Sequence, residues 1–186
     1  MSKLLKSGLV FAASLGASVA SSAAFAAEPL THHPIVRGFS CAQAPADVRW
    51  INQNNALFLQ VHLNGEGDEE GGFYFDVNGI RVGKLAFTAY FTGSDDFDFY
   101  WYAEDHNNNY ADDPVYPDYY TQVPGHPGFY NVVIPVAQLF PSGAVFSYLG
   151  AYIYGDTVAT GDFTHWSVSS LPASVDLHVN GGDCSD

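Results

Sequence analysis

The chain has 186 residues, with six basic and 20 acidic side chains, a formal net charge of −14 and 16% aromatic content. A field of that sign repels phosphate backbones, and no cluster of arginine or lysine interrupts it, which excludes nucleic acid as a partner. The aromatic content and the clear alternation described below exclude a disordered acidic chain.

Residues 1–26 read as a cleavable export signal. Lys3 and Lys6 form a positive start, Leu9 to Ala20 is an apolar or small run too short to span a bilayer, and Ala24-Phe25-Ala26 is the small-x-small pattern of a cleavage site. The Ala-rich run is of bacterial type, so the expected destination is the periplasm or the cell exterior, with no membrane span. The remainder, 27–186, is one domain's length and keeps only Arg37, Arg49, Arg81 and Lys84 against all 20 acidic residues. Residues 27–40, with two prolines and no period, are expected to be an extended arm, and 41–186 a single domain. Cys41 and Cys184 are the only cysteines. In an exported chain an even pair near the two ends reads as a disulfide. Closing so long a loop stabilises by up to about 5 kcal/mol in the chain-entropy account.

Strand signals follow one another from there. Asp47–Gln53 is short. In Ala56–Asn64, Leu57, Leu59, Val61 and Leu63 point one way, and Phe58, Gln60 and His62 the other. The stretch 65–72 is acidic and Gly-rich and reads as a loop. Phe73–Val77 and Ile80–Val82 flank Asn78-Gly79, a strong hairpin signal. Leu85–Phe91, Phe97–Glu104, Phe129–Val136, Val145–Tyr154, Asp162–Ser169 and Ser174–Asn180 complete the set, and Val136–Phe140 has room for one helical turn before Pro141. About nine strands without intervening helices predict an all-β fold, an antiparallel β-sandwich or jelly roll, with a closed barrel as the alternative.

Three features carry candidate chemistry. The first is aromatic. Phe97, Phe99 and Trp101 alternate with Asp98, Tyr100, Tyr102 and Glu104, and Val145, Leu149, Ala151 and Ile153 alternate with Phe146, Tyr148, Tyr152 and Tyr154. If the aliphatic and Phe/Trp side is core, each strand shows a row of tyrosines with carboxylates between them. Flat rings stack on the C–H faces of sugars, and carboxylates accept bonds from hydroxyls. Asp105–Gly128, with four prolines, Tyr116 and Tyr119, reads as a long loop walling such a site.

The second is a possible calcium turn. Asp105, Asn107 and Asn109 occupy alternate positions and Asp113 falls at the ninth, as in a calcium loop, although Tyr110 and Tyr116 replace its Gly and Glu. Glu66, Asp68, Glu69 and Glu70 read as a solvated charged loop. The third is histidine: His62, His165 and His178 fall on the outward phase of three strands, His165 beside Phe163, and would bind zinc or copper only if they met.

No nucleophile motif is present. Glu104 and Asp98, the only carboxylate pair on the tyrosine face, stand ~20 Å apart along one strand, too far for glycoside hydrolysis. The overall style resembles that of carbohydrate-binding modules. The expectation is a secreted, non-catalytic binding module for a glycan, with calcium shaping the long loop. The alternatives are a surface assembly protein using the aromatic face as an interface with an extracellular protein partner, and a polysaccharide hydrolase or lyase.

Overall fold

Apolar residues at a period of two build this chain, and strands that hide one face each must stack in pairs. The computed structural model describes residues 34–41, 44–169 and 171–182. The expected export signal at 1–26, the first half of the expected arm (27–33) and Cys184 lie outside the described residues. The strands are β1 (Ile35–Cys41), β2 (Asp47–Gln53), β3 (Ala56–Asn64), β4 (Glu69–Ile80), β5 (Leu85–Gly93), β6 (Asp98–Asp105), β7 (Tyr110–Pro114), β8 (Tyr120–Gln122), β9 (Phe129–Ile134), β10 (Phe146–Gly155), β11 (Val158–Val168), β12 (Leu171–Pro172) and β13 (Ser174–Gly182). One helical turn, α1 (Val136–Leu139), lies where expected.

Sheet A runs β13-β1-β4-β10-β6-β7, and sheet B runs β2-β3-β11-β5-β9-β8 with β12 beside β11. The two sheets keep separate edges, so the fold is a sandwich and not a closed barrel. Every ladder is antiparallel except β1 with β13.

The core lies between the inner faces. Leu59, Val61 and Leu63 of β3, Trp101 and Ala103 of β6, and Leu149, Ala151 and Ile153 of β10 are fully or almost fully buried. Phe73 of β4 joins the layers edge-on, its ring centroid 4.9 Å from Phe87 and 5.4 Å from Phe163. Such edge-to-face pairs add about 0.5–1.5 kcal/mol each beyond the area they bury.

Four local readings change. The Asn78-Gly79 hairpin is absent: β4 runs through it, with Gly79 at φ 85° in a bulge opposite the step from Phe146 to Tyr148. The bulge slips the phase of β10, so Phe146, expected among the tyrosines, is buried. The two-residue hairpin with both central residues at positive φ is instead Asn54-Asn55, joining β2 to β3. The supposed loop at 65–72 contributes its second half to β4. Its Glu69 is buried and accepts bonds from the Asn64 and Gly65 backbone N–H groups. Finally, Asp105–Gly128 is no structureless loop: β7 continues sheet A, a 3-10 turn at Pro117–Tyr119 crosses over, and β8 joins sheet B.

The arm, from its first described residues, is strand β1, hydrogen-bonded on both sides. Its register sets buried Cys41 opposite Gly182, two residues before Cys184.

Candidate functional site

Sheet A brings the predicted tyrosines together on its outer face. Across the β10–β6 ladder Tyr152 faces Tyr100, Tyr148 faces Glu104, Gly150 faces Tyr102 and Tyr154 faces Asp98. On the other side of β10, Tyr148 faces Asp76, Gly150 faces Tyr74 and Tyr154 faces Glu70. Much of this aromatic surface packs on itself. Tyr102 leans over Gly150, where a Cβ would stand 2.8 Å from its ring, and Phe39 meets Tyr74, Tyr102 and Tyr152 edge-on. Burial therefore pushes the Tyr102 phenol well above its ordinary range. The Tyr152 hydroxyl donates to Asp112 at 2.8 Å, and its ring stacks on Tyr100. Tyr148 is 44% exposed and stays available. Tyr116 and Tyr119 pair with each other in the crossover turn, Tyr119 packing partly on the core.

Of the residues expected to hold calcium, Asp105, Asn107 and Asn109 share one turn and Asp113 lies apart from it. Asp105 is buried, and its carboxylate accepts the backbone N–H groups of Asn107 and Asn109 at 2.8 Å and the Asn109 side-chain amide at 2.7 Å. These donors hold its pKa below the ordinary carboxylate range, the Asn109 side chain contributing most. Asp113 pairs with Trp101, four residues along β6 from Asp105 and so roughly 13 Å away. The D-x-N-x-N pattern is a side-chain-closed turn. Among the described residues, no group of three His, Cys, Asp or Glu is placed to hold a metal ion.

The histidines also stay apart. His62 meets the Thr160 hydroxyl on the outer face of sheet B, while His178 meets Asp176 at the edge of sheet A. His165 sits at φ 54° in a bulge of β11 that turns it outward while Phe163 points into the core, against the expectation that the two share a face. Glu104 and Asp98 remain on one strand, β6.

The residues missed from sequence lie on the outer face of sheet B. A single row crosses five strands: Arg49 of β2, Gln60 of β3, Asp162 of β11, Tyr90 of β5 and Phe129 of β9. Its first half is polar and planar. The Arg49 guanidinium donates to Gln60 Oε1 at 3.1 and 2.8 Å, and Gln60 Nε2 donates to Asp162 Oδ1 at 2.9 Å. Its second half is aromatic: Tyr90 and Phe129 stack with centroids 4.2 Å apart and planes 19° apart. Gly128 makes room for Tyr90, since a Cβ there would stand 2.8 Å from the ring. Gln60, Asp162, Tyr90 and Phe129 of this row line a hollow of about 270 Å³ together with Ile51, Phe58 and residues of the β2–β3 turn. Burial in it raises the pKa of Asp162, against the pull of Gln60 and Arg49.

The signal for this row was partial. Phe58 and Gln60 share an outward phase in the sequence, and so do Thr88 and Tyr90. Only register places all five residues in one line, and a single sequence does not contain the register of non-adjacent strands.

No family model and no curated protein matches the chain. Among solved structures it is similar to a family 61 carbohydrate-binding module in complex with β-1,4-galactotriose, at 11% identity and a TM-score of 0.43, over 72% of this chain and 86% of that one. It is also similar to a Clostridium thermocellum family 11 module in complex with a mixed-linked tetrasaccharide, at 10% identity and a TM-score of 0.45, over 75% and 91%. A C-terminal family 22 module from Clostridium thermocellum aligns at 13% identity and a TM-score of 0.38, over 79% and 95%.

Proposed function

We propose that the protein is an exported, non-catalytic carbohydrate-binding module whose site is the hollow on sheet B. The observation that carries it is the row Arg49–Gln60–Asp162–Tyr90–Phe129. A pyranose has apolar C–H faces and a belt of paired hydroxyls. A stacked aromatic pair covers a C–H face, and a neighbouring line of guanidinium, amide and carboxylate meets vicinal hydroxyls with both donors and acceptors. Gln60 and Arg49 hold the Asp162 carboxylate in place before any ligand arrives, which lowers the ordering cost of binding. Among the residues lining the hollow Asp162 is the one carboxylate, whereas both hydrolytic geometries use two; this favours binding over cleavage. The reading includes export through residues 1–26 and a Cys41–Cys184 disulfide.

The test is depletion of the purified protein by a panel of insoluble and soluble polysaccharides. The expectation is retention on at least one neutral glycan, weakened about tenfold by Tyr90→Ala and also by Gln60→Ala, and unchanged by Tyr148→Ala. Because Asp105 closes its own turn, retention is expected to survive a calcium chelator. Retention on no glycan, or retention indifferent to Tyr90 and Gln60, would overturn the assignment.

A further inference from the structure

The outer face of sheet A carries a charge pattern that the hollow on the opposite side does not use. Two rows cross it with the same alternation. In one, Tyr148 of β10 stands between Asp76 of β4 and Glu104 of β6; in the other, Tyr154 stands between Glu70 and Asp98. Neighbouring strands lie about 4.8 Å apart, so the carboxylate positions flanking each tyrosine are roughly 10 Å apart. Asp112 lies on the same face, bonded to Tyr152. Against these stands Arg37, whose Nε is already 3.1 Å from Asp176.

The tyrosines register the resulting field. The Tyr100 phenol is pushed up chiefly by Asp98, with Asp112 adding to it. The Tyr154 phenol is pushed up by its own desolvation and then by Asp68, Asp98 and Glu70. Aromatic ring faces are themselves negative, so rings and carboxylates favour a ligand of one sign.

We propose that this sheet face is a second binding surface, which takes a β-1,4-linked polymer of amino sugars with free amines. The sugar rings lie against Tyr148 and Tyr154. Ammonium groups on alternate residues of such a chain point to the same side, and they meet the carboxylates flanking each tyrosine. Acidic polysaccharides are repelled, and neutral ones, lacking the charge contribution, are not retained on this face. A lysine-rich peptide shares the charge but offers no flat apolar ring between its amines. The surface is independent of the hollow on sheet B.

The experiment is calorimetric titration of the purified protein at about pH 5.5, where carboxylates are ionised. The probes are a glucosamine hexamer, the N-acetylated hexamer and a lysine hexamer. The glucosamine hexamer is expected to bind at least about tenfold more tightly than either of the others, and to weaken as salt shortens the Debye length. Asp76→Asn with Glu104→Gln, both near-isosteric changes, is expected to remove that tenfold preference. Tyr148→Ala is expected to weaken binding severalfold, while Tyr90→Ala leaves it unchanged. Equal binding of the acetylated and free hexamers, lysine binding as tight as glucosamine, or no binding at all overturns the proposal. Failure of the sheet B reading would appear separately, in the response of neutral glycans to Tyr90→Ala.

Discussion

Glu69, expected in a solvated charged loop, closes a turn by accepting N–H bonds. Glu69 accepts the Asn64 and Gly65 backbone N–H groups and the Asn64 side-chain amide, and is buried where β4 begins. Glu69→Ala leaves those donors without partners and is expected to cost about 1–3 kcal/mol, read by urea unfolding; Glu69→Gln is expected to cost less. Asp176 shows the pH consequence of the same kind of bonding. The His178 side chain, then its backbone N–H, then Arg37 hold its pKa down to about 2. The folded value lies below the ordinary value of about 3.9, so the folded state favours the ionised form. That contribution is complete above the unfolded value and is lost as pH falls from about 4 through about 2. Thermal midpoints are expected to drop across that window, and Asp176→Asn is expected to shallow the drop. Asp105, lowered for similar reasons, adds to the same acid limb.

At the scale of elements, dipeptide signals compete with ladder pairing. Asn78-Gly79 has strong turn chemistry, yet β4, paired with both β1 and β10 as far as Asp76, continues past it along β10 and regains pairing at Ile80 with Phe146. The dipeptide becomes a bulge, and Gly79 supplies the positive φ that the bulge needs. Gly79→Ala is expected to destabilise by about 1–2 kcal/mol from the left-handed backbone alone. A Cβ there would also stand 2.7 Å from the His106 ring, an exposed side chain that can move aside. A fall in thermal midpoint that His106→Ala does not rescue would identify the backbone as the source. The crossover at 105–128 follows the same logic. Its prolines and tyrosines look like loop composition, but Tyr110–Pro114 finds β6 and Tyr120–Gln122 finds β9, so each sheet is extended at an edge.

Over the whole molecule, the sandwich separates two outer faces of different chemistry, one with a recessed polar-aromatic row and one with tyrosines among carboxylates. Strand β13 lies parallel to β1 and sets Gly182 opposite Cys41. The proposed Cys41–Cys184 disulfide is expected to resist alkylation until the unfolded protein is reduced. Cys41→Ser with Cys184→Ser is expected to lower stability by up to about 5 kcal/mol, measured by denaturant midpoint under oxidising conditions. Alkylation of both cysteines without reductant would remove the pairing.

Period-two alternation in Ala56–Asn64, Leu85–Phe91 and Phe97–Glu104 was enough to determine the all-β class and most inward residues. A strand with one apolar face has few ways to bury it. The tyrosine rows were legible for the same reason, because a strand's own alternation assigns each residue a side. What tertiary structure decided was everything that depends on two distant strands at once. It set the sheet order that brings Gln60 beside Asp162 and Tyr90 beside Phe129. It placed the bulges that bury Phe146 and turn His165 outward, and it closed the 105–109 turn on the Asp105 carboxylate. The physical reason is that backbone pairing is nearly indifferent to side-chain identity. Register is chosen by the sum of burial over the whole fold, and a binding row across five strands exists only after that sum has been settled.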